Sequence, residues 1–299
     1  MGEIGSYQLL CPIGEGASST VYCAKNNDTN DNCCIKLIKK SRSENCFLDI
    51  ESKVLPTLNH PNIVKFIDFL EDVDNFYLVE ELCCGETLTH YMESGKILTD
   101  SAILSIMQQL LSAIQYIHYK GISHRDLKTD NIIISNANTI KLIDFGLSTD
   151  NNSQMRATFC GSVAFASPEC INHLNYDSKS ADIWSCGVIC YYLATGSIPW
   201  KGKNIVQIMR SITTVNYTIP STVSLPVKSI IQQCLQLDPV KRPSASKLLE
   251  SPFFSTKVRR SPRLLRVENS CGQFPKHSIV QPPAEVRKSA RRRPKIYSL

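Results

Sequence analysis

His124-Arg125-Asp126-Leu127-Lys128-Thr129-Asp130-Asn131, followed 13 residues later by Asp144-Phe145-Gly146, decides how this chain is read. Both stretches are polar loops bounded by apolar runs. They supply a carboxylate able to act as a base (Asp126) and a cation able to offset phosphate charge (Lys128). They also supply two oxygen-bearing groups suited to a divalent metal, Asn131 and Asp144. Phosphoryl transfer needs those parts: a group to orient the attacking hydroxyl, a metal ion, and positive charge on the moving phosphate. A lone loop aspartate is most often a cap or a solvated charge. Eight consecutive residues of this kind move the reading to chemistry.

Working outward, 299 residues suffice for one large two-lobed domain or two ordinary ones. A hydrophobic content of 42% supports a sizeable core and argues against global disorder. No apolar run approaches the roughly 20 residues of a membrane span, and the mixed opening Gly2–Ser6 does not read as a secretory leader. The 13 cysteines are odd in number and scattered through periodic segments, which predicts reduced thiols in an intracellular protein. Cys33-Cys34 and Cys83-Cys84 are adjacent pairs, so each places its thiols on opposite faces of a strand. Charge is uneven. Residues 255–299 carry 12 Lys/Arg and 2 Asp/Glu, while residues 1–254 carry 21 and 25.

The first third reads as β-rich, with strands at Tyr7–Cys11, Thr20–Lys25, Cys33–Ile38, Phe66–Leu70 and Phe76–Glu81, interrupted by a helix near Glu44–Leu55. Pro56 should kink or end that helix. From Thr99 the period changes. Ile103, Ile106, Met107, Leu110, Ile114 and Ile117 form one helical stripe, with Thr99 as N-cap and Gly121 as stop. Further helices are predicted at Lys179–Thr195, Ile205–Ser211, Val227–Gln236 and Ala245–Leu249. Beyond Phe254 the text turns Pro-, Arg- and Ser-rich and loses its period, as a flexible tail does. The order is therefore a small β lobe, a larger helical lobe and a tail, with a ligand cleft expected where the lobes meet.

Gly14-Glu15-Gly16-Ala17-Ser18-Ser19-Thr20-Val21 is a glycine-rich turn between two predicted strands, where missing Cβ atoms let backbone N–H groups approach phosphate oxygens. A strand follows it, so it is not a dinucleotide fingerprint. Taken together in this order, the glycine turn, the octapeptide and Asp144-Phe145-Gly146 resemble the protein kinases over about residues 7–254. Thr158-Phe159-Cys160-Gly161-Ser162 is similar to the activation segment of the calmodulin- and AMP-regulated group. The resemblance implies an α+β bilobal fold, with an N-lobe over about 7–82, a C-lobe over about 83–254, and 255–299 as a basic tail. It implies ATP and Mg²⁺ as cofactors and Ser/Thr hydroxyls of protein substrates as acceptors. A pseudokinase scaffold without turnover is the alternative.

Residue by residue, the resemblance makes Asp126 and Lys128 catalytic, with Lys36 on the phosphates and Glu51 as its ion-pair partner. Asn131 and Asp144 become the metal ligands. The nucleotide would lie against Ile13, Gly14, Glu15, Gly16, Ala17, Ser18, Ser19, Val21, Lys36, Glu81 and Cys83. Thr158 becomes a phosphosite for an upstream kinase, with Arg125 as the partner of its phosphate. Glu80 falls at the position behind the adenine pocket that is usually apolar or Thr, and it is expected to reach Lys36 alongside Glu51. Thr87 stands where a ribose-binding Glu is common. Glu169 should pair with Arg242, and Asp182 should bond the backbone of the octapeptide. Glu86 and Asp130 flank the acceptor site, so basic substrates are expected. The basic tail is read as a solvated polycation before a nucleic-acid patch. It also carries Arg259-Arg260-Ser261 and Arg287-Lys288-Ser289, which resemble substrates, so binding of the tail by the acidic domain, with inhibition, is a further reading. The expected location is the cytoplasm or nucleus.

Overall fold

The computed structural model describes residues 2–15, 19–40, 51–148, 162–172 and 176–254. Gly16, Ala17, Ser18, Thr158 and the 255–299 tail lie outside the described residues.

Six strands form one antiparallel sheet: β1 (Glu3–Ile4), β2 (Tyr7–Glu15), β3 (Ser19–Asn26), β4 (Asn32–Lys39), β5 (Phe66–Glu71) and β6 (Asn75–Glu81). Their order is β1-β2-β3-β4-β6-β5, which places β4 between β3 and β6. Strand β2 runs four residues beyond the predicted end. Register shifts between Leu9 and Cys11 and between Pro12 and Gly14 absorb Pro12, which cannot donate to a regular ladder.

The two-residue side-chain period sorts this sheet into faces. Tyr7, Ala24, Cys33, Ile35, Tyr77 and Val79 pack together on one side. The registers Val21↔Lys36, Lys36↔Leu78 and Cys34↔Glu80 put Val21, Cys34, Lys36, Leu78 and Glu80 on the other. That second face is the roof of the cleft. Helix α1, described over 51–54, gives way to a 3-10 turn at Leu55–Thr57 that contains Pro56. The rest of the predicted helix, 44–50, lies outside the described residues.

The second lobe is built on helices α2 (Leu88–Glu93), α3 (Asp100–Tyr119), α4 (Pro168–Ile171), α5 (Ser178–Thr195), α6 (Ile205–Thr213), α7 (Leu225–Cys234) and α8 (Ala245–Leu249). Thr99 caps α3 by accepting the Ala102 N–H, and the predicted stripe, with Leu111 and Ala113, is buried. Helix α5 is buried nearly all round and ends at Gly196 in the left-handed conformation, φ 71°. It lies against α7 so closely that a Cβ on Gly187 would meet the Cys234 Cβ at 2.5 Å. Helix α7 starts two residues earlier than predicted because Pro226 suits a first turn.

A second sheet, β7 (Glu86–Thr87), β8 (Ile132–Ile134) and β9 (Ile140–Leu142), was not anticipated from the sequence. It positions the site. The octapeptide feeds directly into β8 and Asp144 follows two residues after β9. The register Ile132↔Leu142 therefore brings the two loops side by side, and the Ile143 N–H donates to the Asn131 carbonyl at 2.9 Å. The first lobe is tied to the same hairpin: the Val64 N–H donates to the Leu142 carbonyl at 2.9 Å, and the Leu142 N–H to Asn62 at 2.8 Å. No helix among the described residues is long and apolar enough to cross a membrane.

Candidate active site

Lys36 joins the two lobes. Its Nζ lies 2.8 Å from Glu51 Oε2 and 2.8 Å from Asp144 Oδ1. The other Glu51 oxygen accepts the Phe145 N–H at 3.0 Å, so one carboxylate holds both the lysine and the loop that carries Asp144. Burial alone works to neutralise Lys36, but the charges of Glu51 and Asp144 outweigh it and hold its proton more tightly than usual. For Asp144, burial works upward and the Lys36 charge downward, and the carboxyl settles below its ordinary range. Its side chain keeps 43% of its surface exposed, so it remains open to a ligand.

The octapeptide is held in a strained form. Arg125 adopts positive φ, 68°, which costs on the order of 1–3 kcal/mol for a residue other than glycine, and Asp144, in the loop after β9, does so too at 63°. Buried Asp182 supplies the restraint. Its two oxygens accept the His124 and Arg125 N–H groups, each at 2.9 Å, and His118 Nε2 lies 2.9 Å from Oδ2. Below it, Glu169 and Arg242 form a buried two-pronged pair at 2.6 and 2.8 Å, with the guanidinium over the Trp184 ring.

Asp126 is fixed through one oxygen. Lys128 Nζ donates to Oδ2 at 2.6 Å and Asn131 Nδ2 at 3.1 Å, which leaves Oδ1 without a hydrogen bond among the described residues. Asn131 Nδ2 also donates to the Asp126 carbonyl at 2.9 Å, so the Asn131 amide oxygen is the end left to face a cation. Among the described residues no cluster of three or more His, Cys, Asp or Glu side chains could hold a metal alone. Two oxygen ligands completed by phosphate oxygens fit Mg²⁺, which keeps few protein ligands and favours oxygen.

Between the lobes lies a cavity of about 420 Å³. Ile13, Gly14, Glu15, Ser19, Val21, Lys36, Glu81, Cys83, Asn131 and Asp144 line it, so the described predicted nucleotide residues converge there with both predicted metal ligands. Asp126 and Lys128 are joined to that wall through Asn131. Glu81 is anchored by Lys141 and by the Lys65 N–H at 2.9 Å. The Cys83 thiol donates to the Glu81 carbonyl at 3.8 Å, and burial pushes it up to about 12. Thr87 lines the cavity, but its hydroxyl oxygen already caps α2 by accepting the His90 N–H.

Glu80 corrects one expectation. It does not pair with Lys36. Its Oε2 accepts only a 4.0 Å contact from the Cys34 thiol, and its Oε1 is buried without a partner. Burial first, and Glu51 second, push its carboxyl up to about 8, so near neutral pH it carries little charge with which to compete for the lysine. Glu80→Met should therefore stabilise the fold by about 1–3 kcal/mol, because an unpaired buried polar group is removed. The sign with pH follows. The unfolded carboxyl titrates near about 4.3 and the folded one near about 8, so between these values the native state binds more protons. Stability then falls as pH rises. The gain in urea midpoint for Glu80→Met should widen from pH 5 to pH 8; a gain that is flat or narrows would contradict this.

Comparison with known proteins agrees with this geometry. The family model described as the protein kinase domain matches residues 7–254. Sperm motility kinase 2B of Mus musculus is 33% identical over 248 residues, covering 83% of this chain and 51% of that protein. Probable serine/threonine-protein kinase MARK-A of Dictyostelium discoideum is 35% identical over 261 residues, covering 85% and 24% respectively. CBL-interacting protein kinase 31 of Oryza sativa subsp. japonica is 32% identical over 261 residues, covering 84% and 58%. The chain thus spans about half the length of the mouse relative and about a quarter of the Dictyostelium one. With that match over most of its length, and a sheet lobe and a helical lobe closing on Lys36, Asp126 and Asp144, the chain belongs to the protein kinase domain family.

Proposed function

We propose that this chain transfers the γ-phosphoryl group of ATP to Ser and Thr hydroxyls of protein substrates. The observation that carries the reading is the Lys36 ion pair with both Glu51 and Asp144, which assembles residues from both lobes around one cavity. Ser/Thr acceptors are supported by the Dictyostelium relative, a probable serine/threonine-protein kinase. In this reading the acceptor oxygen attacks the γ-phosphorus, the bond to the β–γ bridging oxygen breaks, and ADP leaves. Asp126 Oδ1 accepts the hydroxyl proton, while Lys128, bound to Oδ2, offsets charge on the moving group. Asn131 and Asp144 would hold Mg²⁺, which would supply positive charge to offset that of the phosphates. Most of the acceleration comes from positioning and fixed electrostatics. The assembled Lys36–Glu51–Asp144 set favours turnover over a silent scaffold.

Lys36→Met should weaken Mg-ATP binding by about tenfold or more, the loss of a charge-assisted bond. Calorimetric titration checks this, and unchanged affinity would remove Lys36 from the nucleotide site. We further propose control by phosphorylation of Thr158 and docking of basic substrates near Glu86 and Asp130. Phosphatase treatment should lower the activity of protein phosphorylated at Thr158, as mapped by mass spectrometry; activity indifferent to that phosphate would dismiss the switch. We propose residues 7–254 as the kinase region and 255–299 as a separate basic tail.

A further inference from the structure

Three cysteines stand in one row across the first sheet. The ladder pairs Cys11 of β2 with Cys23 of β3, and Cys23 with Cys34 of β4. Directly opposite residues of an antiparallel pair share a face, with Cβ atoms about 4.5–5.5 Å apart. A disulfide spans about 3.5–4.5 Å between Cβ atoms, so a small approach of the strands closes either pair. The three thiols are not equally open. Strand β1 pairs with β2 only at Tyr7 and Gln8, which leaves β2 as the sheet edge at Cys11, and Cys11 is exposed. Cys23 is 2% exposed, too little for an oxidant to reach it from solvent. Cys34 lines the cavity, its thiol donates to Glu80 Oε2 at 4.0 Å, and burial holds its proton on.

We propose that Cys11 is a peroxide-reactive modification site that forms a disulfide with Cys23 and thereby restrains the hairpin that lines the cavity. The Cys11 thiolate attacks one oxygen of a hydroperoxide. The O–O bond breaks, Cys11 becomes a sulfenic acid, and the other oxygen leaves as an alcohol or water after taking a proton. Sulfur loses two electrons and the peroxide gains them. The Cys23 sulfur, on the same face, then attacks the Cys11 sulfur. The S–S bond forms, the S–O bond breaks, and hydroxide leaves with the Cys23 proton as water. Cys23 needs no exposure for this step, because its electrophile sits on the neighbouring strand. An accessible thiol beside a second one that resolves it is the arrangement of a redox sensor. Cys34 does not compete, because β3 stands between it and Cys11, and a thiol that keeps its proton is a poor nucleophile. The new bond closes the chain over residues 12–22, which include Ile13, Gly14, Glu15, Ser19 and Val21 of the cavity wall. Closing that loop removes open conformations from the hairpin.

The test treats the full chain with hydrogen peroxide, blocks remaining thiols by alkylation, and takes the monomer band of a non-reducing gel. Cleavage after Lys and Glu puts Cys11 in residues 4–15, Cys23 in 16–25, and Cys33 with Cys34 in 26–36. Mass spectrometry should find 4–15 joined to 16–25 at about tenfold or more above the untreated chain, and dithiothreitol should part them. Amide hydrogen exchange at residues 12–15 and 19–22 should slow by about threefold or more on oxidation and recover on reduction. Cys11→Ser, shown to melt like the wild type, should lose both responses, and Cys34→Ser should keep both. A 16–25 to 26–36 linkage in place of this one would overturn the proposal. Oxidation that runs to sulfinic acid on Cys11 without a linkage would overturn it too, as would a linkage that leaves exchange in the hairpin unchanged.

Discussion

Asp126→Asn should lower kcat for peptide phosphorylation by on the order of 10²–10⁴-fold, the usual contribution of a positioned proton acceptor. The substitution keeps the size of the side chain and an oxygen that can accept from Lys128 or Asn131, whose bonds at 2.6 and 3.1 Å hold it now. What is lost is a carboxylate able to take the acceptor's proton through Oδ1. The fold should be nearly unaffected, because Asp182 and not Asp126 restrains the left-handed Arg125. The effect belongs in kcat, with Mg-ATP affinity little changed. Steady-state kinetics beside a urea melt separate the two. A variant with wild-type kcat would remove Asp126 from the chemistry, and one that unfolds would reassign it to structure.

Arg242→Leu should destabilise the chain by about 3–5 kcal/mol. Both partners of the pair are buried: the Arg242 side chain has no exposure and that of Glu169 has 6%. Removing one charge strands the other in a medium that solvates it poorly. Arg242 also donates to the carbonyls of Gln236, at 2.9 Å, and Ser180, at 3.1 Å, and packs over Trp184, so the helical lobe loses several anchors together. Against a typical total of about 5–15 kcal/mol, one substitution would remove a large fraction of the stability. The double variant Glu169→Leu/Arg242→Leu should lose less than Arg242→Leu alone, because no unpaired charge remains. Equilibrium unfolding of all three proteins tests this. Equal losses for the single and double variants would mean that packing and backbone bonds, not the stranded carboxylate, dominate.

The contrast between these two sites shows what the amino-acid sequence makes legible. Asp126, Lys128, Asn131 and Asp144 stand out because their types and spacing are themselves the chemical requirement. The stripe from Ile103 to Ile117 is legible because 20 residues of α3 repeat the helical period several times over. Strands β7, β8 and β9 are two or three residues long and carry too little period to be seen. Yet their hairpin register is what brings Asn131 beside the loop of Asp144. Strand β2 continues past Pro12 only because register shifts absorb it, which depends on its partner β3 and not on Pro12 itself.

Glu80 marks the limit most clearly. Its place in the chain is evident from the residues around it. Its lack of a partner depends on where Lys36 points, and Lys36 is drawn away by Glu51, 15 residues distant in the chain, and Asp144, 108 residues distant. Competition of that kind is settled by packing, where two ionised carboxylates outweigh one buried acid that keeps its proton.

The most direct measurement is incubation of the full chain with Mg²⁺ and γ-labelled ATP on a degenerate Ser/Thr peptide array, with Asp144→Ala run in parallel. The account predicts label on Ser and Thr hydroxyls with the wild type and none above background with the variant. Equal labelling by Asp144→Ala, or no labelling by a folded wild type that binds Mg-ATP, would contradict it.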